Sequence, residues 1–351
     1  MAEVTAAKTS LLHSLVTGSG KIAIVSHTHP DGDALGSTTA MQSYLRECCG
    51  KESVIVLPSP VPDSLSFLSG PGMIDAVNSP QEASALIADC DLLICLDFNV
   101  PSRTAGLEKC LRDCRARKVL IDHHKDPERE MYDLVFSITE ISSACEVLYN
   151  VLLQMPEIGG SASRLPRRCA YSLMAGMTTD TNNFANSVYP GTLEMASALL
   201  AAGVDRDGIV THVFQEYREN RLRALGWALS EKMKISPEGV AYMIFTEEDL
   251  QRFDLQEGET EGFVNQALAI KSVRMSLLLK QEGDGMFRVS VRSKRGTSAN
   301  AAAKGWFHGG GHELASGGKL YWPADIPSRE GAEEYILAMA ARLMQSQGRT
   351  K

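Results

Sequence analysis

Lys118-Val-Leu-Ile-Asp122-His123-His124 is an apolar run that stops on one carboxylate and two imidazoles. A short aliphatic, β-branched run of this kind reads as a strand buried on both faces. In open α/β sheets the carboxyl ends of the strands are where ligands and catalytic groups collect. Two further apolar runs end the same way. Ile22–Ser26 runs into His27-Thr-His29-Pro-Asp31-Gly-Asp33, and Leu92–Leu96 ends on Asp97. A fourth segment adds another carboxylate, Asp180, where the helical pattern around Leu173, Met174 and Met177 breaks in Thr179-Asp180-Thr-Asn.

Around these runs the first half alternates strands with helices. Strands are expected at Ile22–Ser26, Ser53–Leu57, Leu92–Asp97, Val119–Asp122 and Leu134–Phe136, with helices such as Gly36–Cys48 and Ser143–Leu153 between them. Ser143-Ala-Cys-Glu146 has capping-box spacing. Such alternation predicts an α/β fold: an N-terminal doubly wound, mainly parallel sheet with helices on both faces. A smaller C-terminal α/β domain with a mixed sheet should follow. Its expected parts are a strand at Val240–Phe245, helices at Glu247–Phe253 and Thr260–Ala269, a hairpin of Val273–Lys280 with Met286–Arg292, and a final helix over about Ser328–Gln345. The domains are placed at 1–205 and 234–351, joined over 206–233 by a segment too regularly helical to be a flexible linker.

Composition narrows the class. With 351 residues, 44% hydrophobic and 22% charged, the chain has material for two ordinary globular cores. A net charge of −8 argues against wrapping duplex DNA, because proteins that do so are usually basic. The eight cysteines fall between Cys48 and Cys169 without a paired zinc pattern, which fits free thiols in a reducing compartment. With neither a signal-peptide pattern at the N-terminus nor a membrane-length apolar run, a soluble cytoplasmic protein without membrane contact is expected. The apolar stripe of the last helix reads as core rather than a dimer seam, and a homodimer stays open.

Like charges raise one another's pKa, so four carboxylates sharing one crevice call for a cation. Aspartate oxygens with one or two imidazoles and no thiolate suit Mn²⁺ or Mg²⁺ better than a closed zinc site. The donors outnumber one ion's needs, so two divalent cations with a bridging carboxylate form the economical arrangement, and such pairs serve phosphoryl transfer. In the second half, Trp306-Phe-His308-Gly309-Gly310-Gly311-His312 could cradle an anion on unobstructed backbone N–H groups. Arg292-Ser293-Lys294-Arg295 supplies the densest basic patch, and arginine suits bidentate phosphate capture. Trp306 and Phe307 read as core. Arg103, in the turn after Asp97, is a further candidate for holding substrate.

The chain resembles the DHH phosphoesterase superfamily. The matching motifs are His27-x-x-x-Asp31-x-Asp33, Asp97, Asp122-His123-His124 and Asp180, in the family's order. The second half is similar to the DHH-associated domain at Arg292-Ser293, Gly309-Gly310-Gly311-His312 and Ala315-Ser316-Gly317-Gly318. The resemblance covers about residues 10–322 and is nearest to the nanoRNase/pAp-phosphatase group. It implies His27, Asp31 and Asp97 on one metal, and Asp33, Asp97, His123 and Asp180 on the other, most simply Mn²⁺, with Mg²⁺ or Co²⁺ as alternatives. It implies that Asp122 orients a neighbouring ligand, that His124 faces the scissile phosphate as charge stabiliser or acid, and that Arg292, Ser293, Gly309–Gly311 and His312 bind substrate.

The implied activity is hydrolysis of short oligoribonucleotides to mononucleotides, removal of the 3′-phosphate of pAp, or both. A phosphodiesterase for cyclic dinucleotides or linear pApA is the alternative within the class. A non-catalytic nucleotide sensor or RNA-binding scaffold is the alternative outside it, since fold does not fix function. Most of the resembling family has a fourth glycine where this chain has His308, which bears on how tightly the backbone can approach a ligand there.

Overall fold

A computed structural model describes residues 3–283 and 285–347. The chain divides into two compact units, the first running to Glu216 and the second starting at Tyr217. The division falls inside the stretch expected as a connector.

The first unit holds six parallel strands, β1 (Ile22–Val25), β2 (Ser53–Leu57), β3 (Met73–Asp75), β4 (Leu92–Leu96), β5 (Arg117–Asp122) and β6 (Leu134–Ser137). Its helices are α1 (Ala6–Gly18), α2 (Gly32–Cys49), α3 (Pro80–Ala88), α4 (Glu108–Asp113), α5 (Ala144–Leu153), α6 (Arg167–Asp180), α7 (Pro190–Ala201) and α8 (Arg206–Phe214). Strand order is β3-β2-β1-β4-β5-β6. Connections run one way from β1 and the other way from β4, so the topological switch point lies between these two strands, where the crevice of a doubly wound sheet opens.

Alternation along the strands shows why these sequences read as continuous apolar runs. Ile22 and Ile24 enter one core with Leu92, Ile94, Leu96, Val119 and Ile121. Ala23 and Val25 enter the other with Leu93, Cys95 and Leu120. Both faces are covered, as a parallel sheet requires. The first core includes residues of α2, α5 and α6, the second Ala83 and Ile87 of α3 and Leu111 of α4. The expected strands all form; β3, three half-buried residues with no apolar periodicity, was not foreseen.

The second unit comprises α9 (Glu219–Trp227), β7 (Lys234–Ile235), β8 (Val240–Phe245), α10 (Glu247–Arg252), α11 (Phe263–Gln266), β9 (Met275–Gln281), β10 (Met286–Ser293), α12 (Ala299–Trp306), β11 (Gly310–Gly311), β12 (Ala315–Tyr321) and α13 (Ala332–Gln347). Its sheet, in the order β11-β12-β10-β9-β8-β7, is mixed: β8 and β9 are parallel, the other neighbours antiparallel. Phe287, Val289 and Val291 of β10 pack with Leu277, Leu279, Phe307, Ile336 and Met339. The expected hairpin is β9–β10. The glycine-rich β11 and β12 carry no side-chain period and escaped the sequence reading.

Candidate metal centre

The carboxyl ends of β1, β4 and β5 bring His27, Asp97, Asp122, His123 and His124 together. The start of α2 adds Asp31 and Asp33, and the end of α6 adds Asp180. Asp97 lies at the middle. Its Oδ2 is 3.4 Å from His27 Nε2 and its Oδ1 is 3.4 Å from His123 Nε2. His27 Nε2 is also 3.9 Å from Asp31 Oδ1. His123 Nε2 is 3.8 Å from both Asp33 Oδ2 and Asp180 Oδ2. Donor atoms of His27, Asp31 and Asp97 form one compact group, and those of Asp33, Asp97 and His123 form another.

Each donor is aimed by backbone. Asp97 follows the last residue of β4, donates its own N–H to Ile121 O, and takes a left-handed φ of 64°. That conformation is rare outside glycine and is tolerated best by Asp and Asn. Asp31 caps α2, its Oδ1 accepting from Asp33 N and Ala34 N at 3.0 Å. The Asp33 carboxylate accepts from Ala144 N at 2.6 Å and Cys145 N at 2.9 Å, so the first turn of α5 clamps it. A helix N-terminus is a natural seat for an anion, since its first N–H groups have no partner within the helix.

That N-terminus is itself anchored. Ser143 Oγ accepts from Glu146 N, the first half of the expected capping box. The second half shifts by one residue: Glu146 Oε2 accepts from Ser142 N rather than Ser143 N, and also from Thr192 Oγ1. Close helix crossing finishes the pocket. A Cβ on Gly176 of α6 would lie 2.3 Å from Cys145 Sγ and 3.1 Å from Asp33 Oδ1. A Cβ on Gly36 of α2 would lie 2.7 Å from Ser172 O.

The donor set fits divalent cations. The N···O separations of 3.4–3.9 Å are too long for hydrogen bonds. They match donors that share an ion at about 2.0–2.2 Å from each. Asp97 Oδ1 is buried and makes no hydrogen bond among the described residues. His27 Nδ1 meets Thr28 O at 2.9 Å, and a carbonyl only accepts, so Nδ1 carries the proton there and Nε2 is left to coordinate. Electrostatics agree. Burial, followed by the charges of Asp97 and Asp180, pushes the Asp33 carboxyl well above its usual range. Burial works to lower the pKa of His123, yet the adjoining Asp97 carboxylate and the charges of Asp180 and Asp33 push it up to about 10. Asp33 and His123 thus hold protons that a bound cation would replace.

Asp122 and His124 stand beside this set. Asp122 is buried, with Oδ1 accepting from His124 Nδ1 at 2.8 Å and Oδ2 from His124 N at 3.1 Å. Arg103 Nη1 donates to His124 Nε2 at 2.8 Å. Nothing in the spacing of Arg103 and His124 along the sequence announces this contact.

In the second unit the substrate-binding candidates lie around β10–β12. Arg292 Nη1 donates to Val291 O and Ser316 O, and Ser293 Oγ donates to Thr297 O. The glycine run is shaped by backbone proximity. A Cβ on Gly309 would lie 1.9 Å from Gly317 O, and one on Gly311, at φ 142°, 2.9 Å from Ala315 O. Gly309 N donates to Ala303 O and His312 N to Ala315 O. Those two N–H groups are therefore engaged within the unit rather than presented to an anion, in contrast to the open cradle expected from the sequence. His308, at φ 46°, holds the left-handed position that a glycine would suit, and its Nε2 meets Asp325 Oδ1 at 2.8 Å. Phe307 is fully buried, and Trp306 packs edge-on against Tyr335, both core as expected.

Comparison with known proteins places the chain. The N-terminal domain of the DHH family matches residues 21–177, and the DHHA1 domain matches residues 238–344. A probable bifunctional oligoribonuclease and PAP phosphatase NrnA of Streptococcus mutans is 30% identical over 309 residues, covering 86% of this chain and 89% of that protein. The chain belongs to the DHH family. The bifunctional oligoribonuclease and PAP phosphatase NrnA of Bacillus subtilis is 29% identical over 302 residues, covering 84% of this chain and 88% of its own. Among solved structures, an exopolyphosphatase-related protein from Bacteroides fragilis superposes with a TM-score of 0.89 at 30% identity, covering 99% of this chain and 100% of that one.

Proposed function

We propose that this DHH protein is a metal-dependent phosphoesterase that hydrolyses short oligoribonucleotides to mononucleotides and removes the 3′-phosphate of pAp. The observation that carries the reading is Asp97, buried with one oxygen toward His27 and the other toward His123. The names of the two NrnA relatives support the substrate class. On this reading His27, Asp31 and Asp97 would hold one divalent cation, and Asp33, Asp97, His123 and Asp180 a second, with Mn²⁺ best matching the oxygen–imidazole donor set. Cations bound there supply electrophilic stabilisation of a phosphoryl centre and lower the pKa of water.

The chain's own residues do the rest. The first turn of α5 keeps Asp33 fixed through two backbone N–H donors. Asp122 locks the His124 ring through Nδ1, so that Nε2 faces away from it toward Arg103. Asp33, Asp97 and His123 are nearly closed to solvent, which strengthens every electrostatic interaction with a reacting phosphate. In the second unit we assign the nucleotide body to the side chains of Arg292, Ser293 and His312 and to the backbone of Gly309–Gly311. No helix among the described residues is long and apolar enough to cross a membrane, and the cysteines are unpaired, which supports a cytoplasmic site of action.

The test is a substrate panel of pAp, a short RNA ladder and linear pApA, run with Mn²⁺, Mg²⁺ or Co²⁺ and with chelator. Phosphate release from pAp and mononucleotides from the ladder, both lost with chelator, is the expected result. Turnover that ignores chelator, or cleavage of pApA alone, would contradict the proposal.

A further inference from the structure

We infer that Arg103 is the phosphate-gripping arm of this site, bridging His124 to a non-bridging oxygen of the scissile phosphate; this rests on the phosphoesterase reading above. Three observations lead to it. First, Arg103 is half-buried and, among the described residues, has no carboxylate partner and no hydrogen-bond acceptor other than His124 Nε2, at 2.8 Å. None of its nitrogens is among the sealed, partnerless polar atoms of the described residues, so its remaining donors are open to an incoming anion. Arg112, by contrast, is held by the carboxylates of Glu108 and Glu128.

Second, the arm is built into the fold. It stands on the turn that follows β4 (residues 101–107). Thr28 N, in the loop after β1, donates to Arg103 O at 2.8 Å, and Arg103 N donates to Val100 O. Buried Thr104 closes the turn through Pro101 O. The next loop is tied in as well, with Asn99 Nδ2 donating to Lys125 O and Glu128 N to Asn99 O. The turn is thereby braced to the loops after β1 and β5, which carry His27 and His123. A preorganised donor of this sort is what phosphoryl-transfer sites use against developing charge.

Third, the chain Asp122–His124–Arg103 has one consistent set of hydrogen-bond directions. Arginine only donates, so His124 Nε2 must accept, and Nδ1–H must donate to Asp122. While Arg103 holds Nε2, His124 cannot pass a proton to a leaving oxygen from that atom. Its work in this arrangement is to fix the guanidinium plane, which makes it a positioning residue for Arg103. The anion then meets Arg103 N–H groups, and the leaving oxygen takes its proton from solvent water.

The test compares wild type with Arg103→Met and Arg103→Lys, using Mn²⁺ affinity by calorimetry, inorganic phosphate affinity in the presence of Mn²⁺, and kcat and KM on pAp. Mn²⁺ affinity should stay within about twofold of wild type, because Arg103 is no ligand. Phosphate affinity and kcat/KM should each fall about 10- to 100-fold in Arg103→Met, the range for losing a charge-assisted hydrogen bond. Arg103→Lys should recover part of the phosphate affinity, as a point charge without the planar fork. Wild-type phosphate affinity and turnover in Arg103→Met would overturn the inference while leaving the phosphoesterase reading intact. An inactive wild type whose phosphate affinity still depends on Arg103 would instead sink that reading and keep the arm.

Discussion

The ends of β1, β4 and β5 and the glycine run of β11 both looked like ligand sites in the sequence, yet the fold treats them differently. At the strand ends the informative atoms belong to side chains: Asp97, His27, His123 and Asp33 converge within 3.4–3.8 Å, and little but a cation would satisfy them. In the glycine run the informative atoms belong to backbone, and much of it is already engaged. Gly309 and Gly318 are glycines because a Cβ would strike Gly317 O at 1.9 Å or Phe307 O at 2.2 Å. A side chain carries its chemistry wherever the chain places it, whereas a glycine acquires meaning only from what approaches it.

Replacing Asp97 by Ala should have the largest effect. Disturbing a partner outside a ligand set costs about 10- to 100-fold. Removing the residue shared by both donor groups should cost turnover at least about 1,000-fold and weaken Mn²⁺ binding, measured by calorimetry and pAp hydrolysis. Unchanged metal affinity would erase the distinction drawn between the two regions.

Gly309→Ala should come next. No flexible side chain can yield to the added methyl, so the second unit should lose about 3 kcal/mol or more, read as a lower thermal midpoint and faster amide exchange in β10–β12. Mn²⁺ binding should persist. A variant that folds normally and loses only phosphate affinity would restore the open-cradle reading.

The metal-free protein should show a smaller, pH-dependent effect. His123 is pushed up from 6.5 to about 10, so the stability it contributes is complete below pH 6.5 and is lost as pH rises toward 10. Asp33, raised by burial and by its carboxylate neighbours, works in the same direction. The thermal midpoint of chelated protein should therefore fall between pH 6.5 and 10, and the gap to Mn²⁺-loaded protein should widen. A midpoint that rises over that range would count against the crowded cluster.

His308→Gly should do least. Releasing the left-handed φ of 46° gains roughly what losing the Asp325 hydrogen bond costs, leaving the midpoint within about 1 kcal/mol of wild type.

Much of the fold was written in periodicity. Continuous apolar runs such as Leu92–Leu96 read as central strands, and in the fold their side chains alternate between two buried cores. Elements without a period were missed: β3 is three half-buried residues, and β11 and β12 are rich in glycine. For the site, the spacing of His27, Asp31, Asp33, Asp97 and His123 named side chains that do meet. What it could not show were contacts made by main chain or by one exposed-looking arginine. Ser143 and Glu146 marked the start of α5 but not the carboxylate its N–H groups would clamp. Arg103 could be named from its place after Asp97 as a candidate for holding substrate, but its partner, His124, appears only in the fold.

The central claim is that Asp97 joins two cation sites, and crystals grown with manganese test it most directly. An anomalous difference map should show a pair of peaks flanking Asp97, one beside His27 and Asp31, the other beside Asp33, His123 and Asp180. A map with no peak there would contradict the account.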